Sequence, residues 1–338
     1  MQRVLNHLGI DIGSESLSVS NDREATGASR ALDYPNNLEG FSPLRSWMEQ
    51  QQMSSQNTIL CMEASGVYTE SLCYYFSQQG FSLVVEAPKK TKQAFHAEAK
   101  NDHIDARQLG EYAFRYFDKL RLWSPQFELV EQVNTLLSVR EQLSQQRTAH
   151  RNQLKAFQRK VIQTPFATEM LHNTIAELEQ KIRDLEKELR RLFAQHPEDQ
   201  QKLQPLDSMK SVGFLLSTNL FAFVGGFQES WNPKKIAARL GIVPRQHQSG
   251  TSVYRKPRSR REGHSRIRKL LYLAAMNLIQ HDLYFKQYYL RLEQQGKSRR
   301  LILNNIANKV IKILCTLVNS HSPFIQNYQS LNPALLKT

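Results

Sequence analysis

Two apolar runs in this chain each carry a single acid, and that pattern limits what the chain can fold into. Leu8-Gly9-Ile10-Asp11-Ile12-Gly13 sets Asp11 among apolar neighbours, and Thr58-Ile59-Leu60-Cys61-Met62-Glu63 ends on Glu63. Both runs read as buried strands. A lone carboxylate there needs a partner, because an unpaired buried charge is costly. Further along, Lys100-Asn101-Asp102-His103-Ile104-Asp105-Ala106-Arg107 holds Asp102 and Asp105 at i,i+3 spacing, on one face of a helix. Four like charges converging on one place repel unless cations hold them. Hard divalent ions such as Mg²⁺ prefer oxygen ligands and leave positions open for phosphate and water. The four acids therefore point to a centre of one or two Mg²⁺ ions that transfers phosphoryl groups.

The surrounding pattern supplies a sheet for these acids. Residues 6–21 read as a strand, a turn at Gly13-Ser14-Glu15-Ser16 and a returning strand, with a third short strand near Ala31–Tyr34. Leu38, Phe41, Leu44, Trp47 and Met48 follow helical spacing. After the Glu63 strand come a helix from about Thr69 to Gln79, stopped by Gly80, and a strand over Phe81–Glu86. Helical sequence from Pro88 then leads into the Asp102/Asp105 segment. The order β-β-β-α-β-α-β-α is that of the RNase H-like fold, in which the first and fourth strands are neighbours. Asp11 and Glu63 then meet at one end of the sheet.

Residues 127–195 change character. Leu171, Ile175, Leu178, Ile182, Leu185, Leu189 and Leu192 recur at alternating spacings of four and three, an a/d seam among Glu, Lys and Arg. A more polar helix precedes it, and Pro165 marks the turn between them. The seam is buried either by an antiparallel helix of the same chain or by another subunit. Beyond Leu206 the expected elements are mainly helical: a turn at Ser211-Val212-Gly213-Phe214, a short helix over Lys234–Leu240, and helices over Leu270–Gln280 and Leu301–Ser320. The fold class expected is α/β plus α, with parts at residues 1–125, 126–204 and 205–338.

Charge is distributed unevenly. Residues 1–125 carry 12 Lys/Arg against 15 Asp/Glu, whereas residues 126–338 carry 33 against 16, so the balance moves from −3 to +17. A near-neutral catalytic part joined to a polyanion-binding part fits that split. Within Arg255–Lys269, eight of fifteen residues are basic and Glu262 is the only acid. Arg255, Lys256, Arg258, Arg260, Arg261, Arg266 and Arg268 are thus candidates for phosphate contact. Just before them, Gly250 follows Ser249 and allows a phosphate backbone to approach closely. Chemistry alone leaves Ser249 open between a nucleophile and an ordinary loop serine. No run of eighteen apolar residues predicts a membrane span, and Met1-Gln2-Arg3-Val4 leaves no room for a signal peptide before the first strand. Cys61, Cys73 and Cys315 lack metal-ligand spacing and read as reduced core residues of a cytoplasmic protein.

Taken in order, the motifs resemble the DEDD transposases of the bacterial insertion-sequence one-ten family, which includes Piv-type DNA invertases and bridge-RNA-guided recombinases. The matching elements are Gly9-Ile10-Asp11-Ile12-Gly13, Glu63-Ala64-Ser65-Gly66-Val67-Tyr68 and Lys100-Asn101-Asp102-His103-Ile104-Asp105-Ala106. Ser211-Val212-Gly213, Ala237-Ala238-Arg239-Leu240-Gly241-Ile242-Val243-Pro244, Gln248-Ser249-Gly250 and Gly263-His264-Ser265-Arg266-Ile267-Arg268 follow in the second half. The family often has Thr where this chain has Asn101, but all four carboxylates are retained. The resemblance implies an RNase H/RuvC-like domain holding Mg²⁺ with Asp11, Glu63, Asp102 and Asp105. It also implies a C-terminal transposase domain whose serine bonds covalently to DNA, Ser249 by motif with Ser252 as the alternative. Donor and target DNA, a non-coding guide RNA and a homo-oligomer (dimer or tetramer) built through the helical arm are the implied partners. Three other readings compete. A RuvC-like junction-resolving nuclease would use water and need no serine. A sugar-kinase-like ATPase would share the Gly9–Gly13 motif but lacks a second phosphate loop here, and a non-catalytic nucleic-acid-binding protein would have no use for four acids.

Overall fold

The structure is a computed structural model that describes residues 6–21, 31–95, 101–227, 229–249, 253–259 and 263–326. The chain divides into two compact units, Met1–Pro125 and Gln126–Thr338. Among the described residues, the first is a mixed five-stranded sheet with helices, RNase H-like, and the second is helical apart from one hairpin.

In the first unit, β1 (Asn6–Ile12), β2 (Ser16–Asn21) and β3 (Leu32–Pro35) run antiparallel in sequence. β4 (Thr58–Glu63) and β5 (Ser82–Glu86) then add parallel strands, giving the spatial order β3-β2-β1-β4-β5. Side chains alternate across the pleat, and here the alternation sorts the two faces. Leu8, Ile10, Leu17, Val19, Leu60, Met62 and Leu83 share one core with Phe41, Leu44 and Met48 of α1 (Leu38–Gln50) and with Leu72, Cys73 and Phe76 of α2 (Glu70–Gln78). Ile59, Cys61 and Val84 face the other way, onto Leu109, Tyr112 and Ala113 of α4 (Asp102–Arg115). α3 (Pro88–Ala94) follows β5, with Pro88 at its first position.

α4 lies against β1 at backbone contact. A Cβ on Gly9 would fall 1.9 Å from the Ala106 carbonyl oxygen and 2.3 Å from the Gly110 nitrogen. Only glycine at position 9 admits this approach, and Gly110 answers it from the helix. The crossing fixes where the first turn of α4 stands, and that turn carries Asp102 and Asp105. Asn101 caps it, accepting from the Ile104 N–H at 2.8 Å.

In the second unit, α5 (Glu128–Phe157) and α6 (Pro165–Ala194) form a long antiparallel hairpin. Arg140 pairs with Glu186 at 2.6 Å and Arg151 with Glu179, so low numbers on one helix meet high numbers on the other. The α6 seam is buried at Ile175, Leu178, Ile182, Leu189 and Leu192, and half-buried at Leu171 and Leu185. Its cover is α5, the intrachain alternative left open by the heptad pattern. The base of this hairpin shares a core with the later helices of the unit. Leu129, Val130, Val133, Leu192 and Phe193 pack with residues of α7 (Pro197–Asp207), α8 (Phe214–Val224), α9 (Pro233–Arg239), α10 (Ser265–His281) and α12 (Arg299–Ser320). α12 is long and apolar enough to cross a membrane, but Ile302, Ile306, Val310, Leu314 and Leu317 are buried in that core, as in the central helix of a globular domain. α11 (Leu283–Gln294) has no counterpart among the elements expected from the sequence; its Phe285 is its one fully buried side chain.

The basic stretch differs from the loop that its composition predicts. β6 (Pro244–Ser249) and β7 (Val253–Ser259) pair antiparallel as a hairpin, with a register shift between Arg245 and His247. Paired backbone hydrogen bonds form this ladder without the apolar alternation by which a strand is usually read. Arg266 and Arg268 lie beyond it, in the first turn of α10.

Candidate functional site

Register brings polar residues into one row across the α4 face of the sheet. Asp11 sits two residues after Gly9 on β1, and therefore on the same face. Ile10 is level with Met62, so the next residues, Asp11 and Glu63, come level at the strand ends. Asp11 also pairs with Ser18, Ser18 with Asp33, and Glu63 with Glu86. Each of the five strands thus contributes a polar side chain to this end of the sheet.

Their electrostatics separate them. Burial, then the carboxylates of Asp105 and Asp102, push the Asp11 carboxyl up to about 6, with Glu63 adding to the push and the Ile12 backbone N–H opposing it. Asp11 is therefore the point on which the other three acids act. Glu63 is oriented by Thr91, whose hydroxyl donates to Oε2 at 2.8 Å. Glu86, by contrast, already has its charge compensated: Lys90 pairs with it at 2.8 Å and the Tyr112 hydroxyl donates to it at 3.2 Å. At the other edge, Ser18 donates to Asp33 at 2.5 Å and His103 of α4 pairs with it at 3.0 Å, which holds the Asp33 carboxyl below its usual range.

Among the described residues, no three carboxylate, imidazole or thiol groups are close enough together to ligate one ion as they stand. The donor chemistry nonetheless fits a hard divalent cation. The set is all carboxylate oxygen, and a bound cation would offset both the burial and the repulsion that raise Asp11. Glu86, Asp33, His103 and Thr91 join the row from outside the set that the sequence singles out. Glu86 carries the same signal as Glu63, an acid at the end of an apolar run; the Asp33–His103 pair, seventy residues apart, gives none.

The second set of candidates lies in the other unit. Ser249 is the last residue of β6, opposite Val253, and Arg255, Lys256 and Arg258 are on β7. For these four the backbone is described. Ser252, Arg260 and Arg261 lie outside the described residues. Arg266 is half-buried and donates through Nη1 to the Leu137 carbonyl of α5 at 2.8 Å, so part of its hydrogen-bonding capacity serves the fold. Burial holds its guanidinium below its usual range. Cys61, Cys73 and Cys315 are buried, and burial pushes each thiol up to about 12, which leaves them unreactive.

Comparison with known proteins covers both units. A DEDD transposase family model of the IS110 type matches residues 8–162, and a model described as transposase, IS116/IS110/IS902 family, matches residues 203–290. The chain is 22% identical over 323 residues to the pilin gene-inverting protein of Moraxella bovis, covering 94% of this chain and 97% of that protein. It is 28% identical over 262 residues to the transposase for insertion sequence element IS1111A of Coxiella burnetii, covering 67% and 68%. Over 165 residues it is 26% identical to an uncharacterized protein of insertion element IS110 in Streptomyces coelicolor, covering 48% and 38%.

Proposed function

The chain belongs to the IS110 family of DEDD transposases, enzymes of phosphoryl transfer on DNA, and we propose that it recombines donor and target DNA for an insertion sequence through a serine–DNA bond. One observation carries the catalytic part of this reading: Asp11 is raised to about 6 by burial and by carboxylates from two other elements, Asp105 and Asp102 of α4 and Glu63 of β4. Asp11, Glu63, Asp102 and Asp105 would hold one or two Mg²⁺ ions. Such ions supply Lewis acidity toward the phosphate and neutralise charge that develops on the attacking and leaving oxygens. Asp11 and Glu63 come from rigid strand ends and the aspartate pair from a capped helix, so the protein's part is to fix the carboxylates before substrate arrives. Thr91 fixes the rotamer of Glu63.

Ser249 is proposed as the nucleophile. Its Oγ forms a bond to phosphorus while a phosphorus–oxygen bond of the strand breaks; the serine proton ends on the freed strand hydroxyl, and a second strand end later displaces the serine in reverse. Arg255, Lys256, Arg258, Arg260, Arg261 and Arg268 contact phosphate in this reading, supported by the +17 balance of residues 126–338, whereas Arg266 is committed to the Leu137 carbonyl. A non-coding RNA would select donor and target, and the enzyme would act in the bacterial cytoplasm. Assembly as a dimer or tetramer is supported by the tip of the α5–α6 hairpin, where Val161, Ile162, Phe166 and Met170 stand exposed together.

Asp11→Asn and Ser249→Ala separate the parts. Both should bind DNA, and neither should exchange strands in Mg²⁺. Only the parent and metal-site variants with residual activity should yield a protein–DNA adduct that survives denaturation. An adduct that persists in Ser249→Ala and vanishes in Ser252→Ala would move the nucleophile by three residues, and no adduct in any active variant would favour water as the nucleophile. Inversion of a DNA segment is a second reading, favoured by the near-complete coverage of the pilin gene-inverting protein. Excised and inverted products from one reporter plasmid distinguish the two.

A further inference from the structure

We propose that the outer side of α11 and the adjoining part of α12 form a binding surface for single-stranded nucleic acid, separate from the β6–β7 hairpin. The inference rests on the reading of this chain as a nucleic-acid enzyme, but on different residues. Between Leu283 and Ser320 there are seven Lys/Arg and one acid, Glu293. That is sparser than the eight in fifteen of the Arg255–Lys269 stretch, but here the cations are joined to aromatic rings.

The rings are placed by helical spacing. Tyr284, Tyr288 and Arg291 follow one another at i, i+4 and i+7 along α11, on one stripe of the helix. Arg291 lies 5.5 Å from the Tyr288 ring centroid. Lys309 of α12 stands 4.2 Å from the same centroid and 5.1 Å from that of Tyr284, and donates to the Tyr284 hydroxyl at 2.9 Å. The result is a ladder of alternating rings and cations across two helices. Tyr284 remains 54% exposed within it, beside Leu283 at 72%.

A folded core has little reason to hold Tyr284 and Arg291 outward. Phe285 supplies α11's buried anchor, and Tyr288, Tyr289 and Leu292 complete its packing against the core. Arg299 and Arg300 add to the case. They occupy the first turn of α12, which holds no acid, so their charges add to the positive end of the helix dipole instead of offsetting it. Local rules broken without an evident structural gain mark functional sites more often than structural ones. An unpaired strand offers what this surface lacks: phosphates for the cations and base faces for the tyrosines. A duplex hides its base faces in the stack and would use the cations alone.

The test is fluorescence anisotropy on the full-length chain with three probes, a uridine 20-mer, a thymidine 20-mer and a mixed-sequence duplex of equal length. Tyr284→Ala combined with Tyr288→Leu should weaken both single strands by about tenfold and leave the duplex within about twofold, whereas Tyr284→Phe should keep single-strand affinity because it keeps the ring. Gln at Arg291, Arg299 and Arg300 should flatten the log–log salt dependence for single strands by about 0.7 for each phosphate no longer neutralised. A uridine loss larger than the thymidine loss identifies RNA as the ligand; equal losses identify contact with backbone and base alone. The surface is refuted if the tyrosine variants lose duplex and single strand equally, or if neither loss appears while their circular dichroism matches the parent. Competition by poly-L-glutamate as effective as that by the oligonucleotides would also refute it and assign the surface to an acidic protein. An unmodified chain that binds none of the probes removes the functional reading itself, whereas one that binds them all without using the tyrosines removes only this surface.

Discussion

The acid end of the first unit and the basic hairpin of the second solve opposite electrostatic problems. Carboxylates from β1, β4 and α4 are held against mutual repulsion by the backbone, with Gly9 and Gly110 bringing α4 onto β1 and Asn101 capping its first turn. The hairpin gathers Arg255, Lys256 and Arg258 within one short strand paired to another, and contact with phosphate asks for charge more than for a fixed geometry. In the proposed reading one site is costly to build because it must position reacting groups, and the other is not, because phosphate contacts are interchangeable.

The sharpest way to break that comparison is at the acids. Asp11→Asn or Asp105→Asn should lower strand exchange by about 10³-fold or more while the far-ultraviolet circular dichroism stays that of the parent. Full activity of Asp11→Asn in Mg²⁺ would show that the acid end is only structural.

Next in size is the support of that site. Gly9→Val places a side chain where backbone already stands, at 1.9 Å from the Ala106 carbonyl oxygen, and should cost about 3 kcal/mol in a denaturant titration, with activity lost through displacement of Asp102 and Asp105. A variant of parental stability would mean that α4 reaches β1 by some other contact.

These two cases also show what a sequence can reveal. Asp11, Glu63 and the aspartate pair are legible because an acid at the end of an apolar run has few structural uses, and because the pleat forces i and i+2 onto one face. The crossing of α4 over β1 is not legible, since Gly9 looks like any strand glycine until the helix is in place. Nor is the Asp33–His103 pair, which joins β3 to α4 across seventy residues. The hairpin reads as a loop because its strands carry charge where alternation would be sought. α11 escapes detection for a related reason: with one fully buried side chain, Phe285, its helical period is weak.

Arg266 and Arg258 sharpen the comparison at smaller amplitude. Composition groups both as phosphate contacts, yet Arg266 spends an N–H on the Leu137 carbonyl. Arg258→Gln should flatten the log–log salt dependence of duplex binding by about one unit with no change in unfolding midpoint. Arg266→Gln should do the reverse, losing about 1 kcal/mol of stability with the hydrogen bond that ties α10 to the Leu137 carbonyl of α5. Identical salt slopes for the two variants would return Arg266 to the phosphate-binding set.

The smallest effect is a pH dependence of the first unit in the absence of divalent ions. Asp11 has its carboxyl raised from 3.8 to about 6, so the folded state holds that proton more tightly than the unfolded chain does. The stabilisation from protonating it is fully present below pH 3.8 and is lost as pH rises through about 6. Asp33 has the opposite sign, because Ser18 and His103 lower its carboxyl: its contribution is present above the ordinary carboxylate value and lost on acidification. Between pH 7 and pH 5 the Asp11 contribution should dominate, and the unit should gain stability as it is acidified. Asp11 is only half-buried, so solvent screening leaves about 1 kcal/mol of the full linkage. Hydrogen exchange at the amides of β1 and β4 in the intact chain reads this unit without averaging over the second. Exchange should slow several-fold from pH 7 to pH 5 beyond the intrinsic chemical effect, and Asp11→Asn should remove that gain. Mg²⁺ should also remove it, because a cation that neutralises the acid end relieves the same repulsion that protonation relieves. If Asp11→Asn keeps the parent's full pH dependence, the strain lies elsewhere, and the acid end is less strained than the proposed contrast with the hairpin requires.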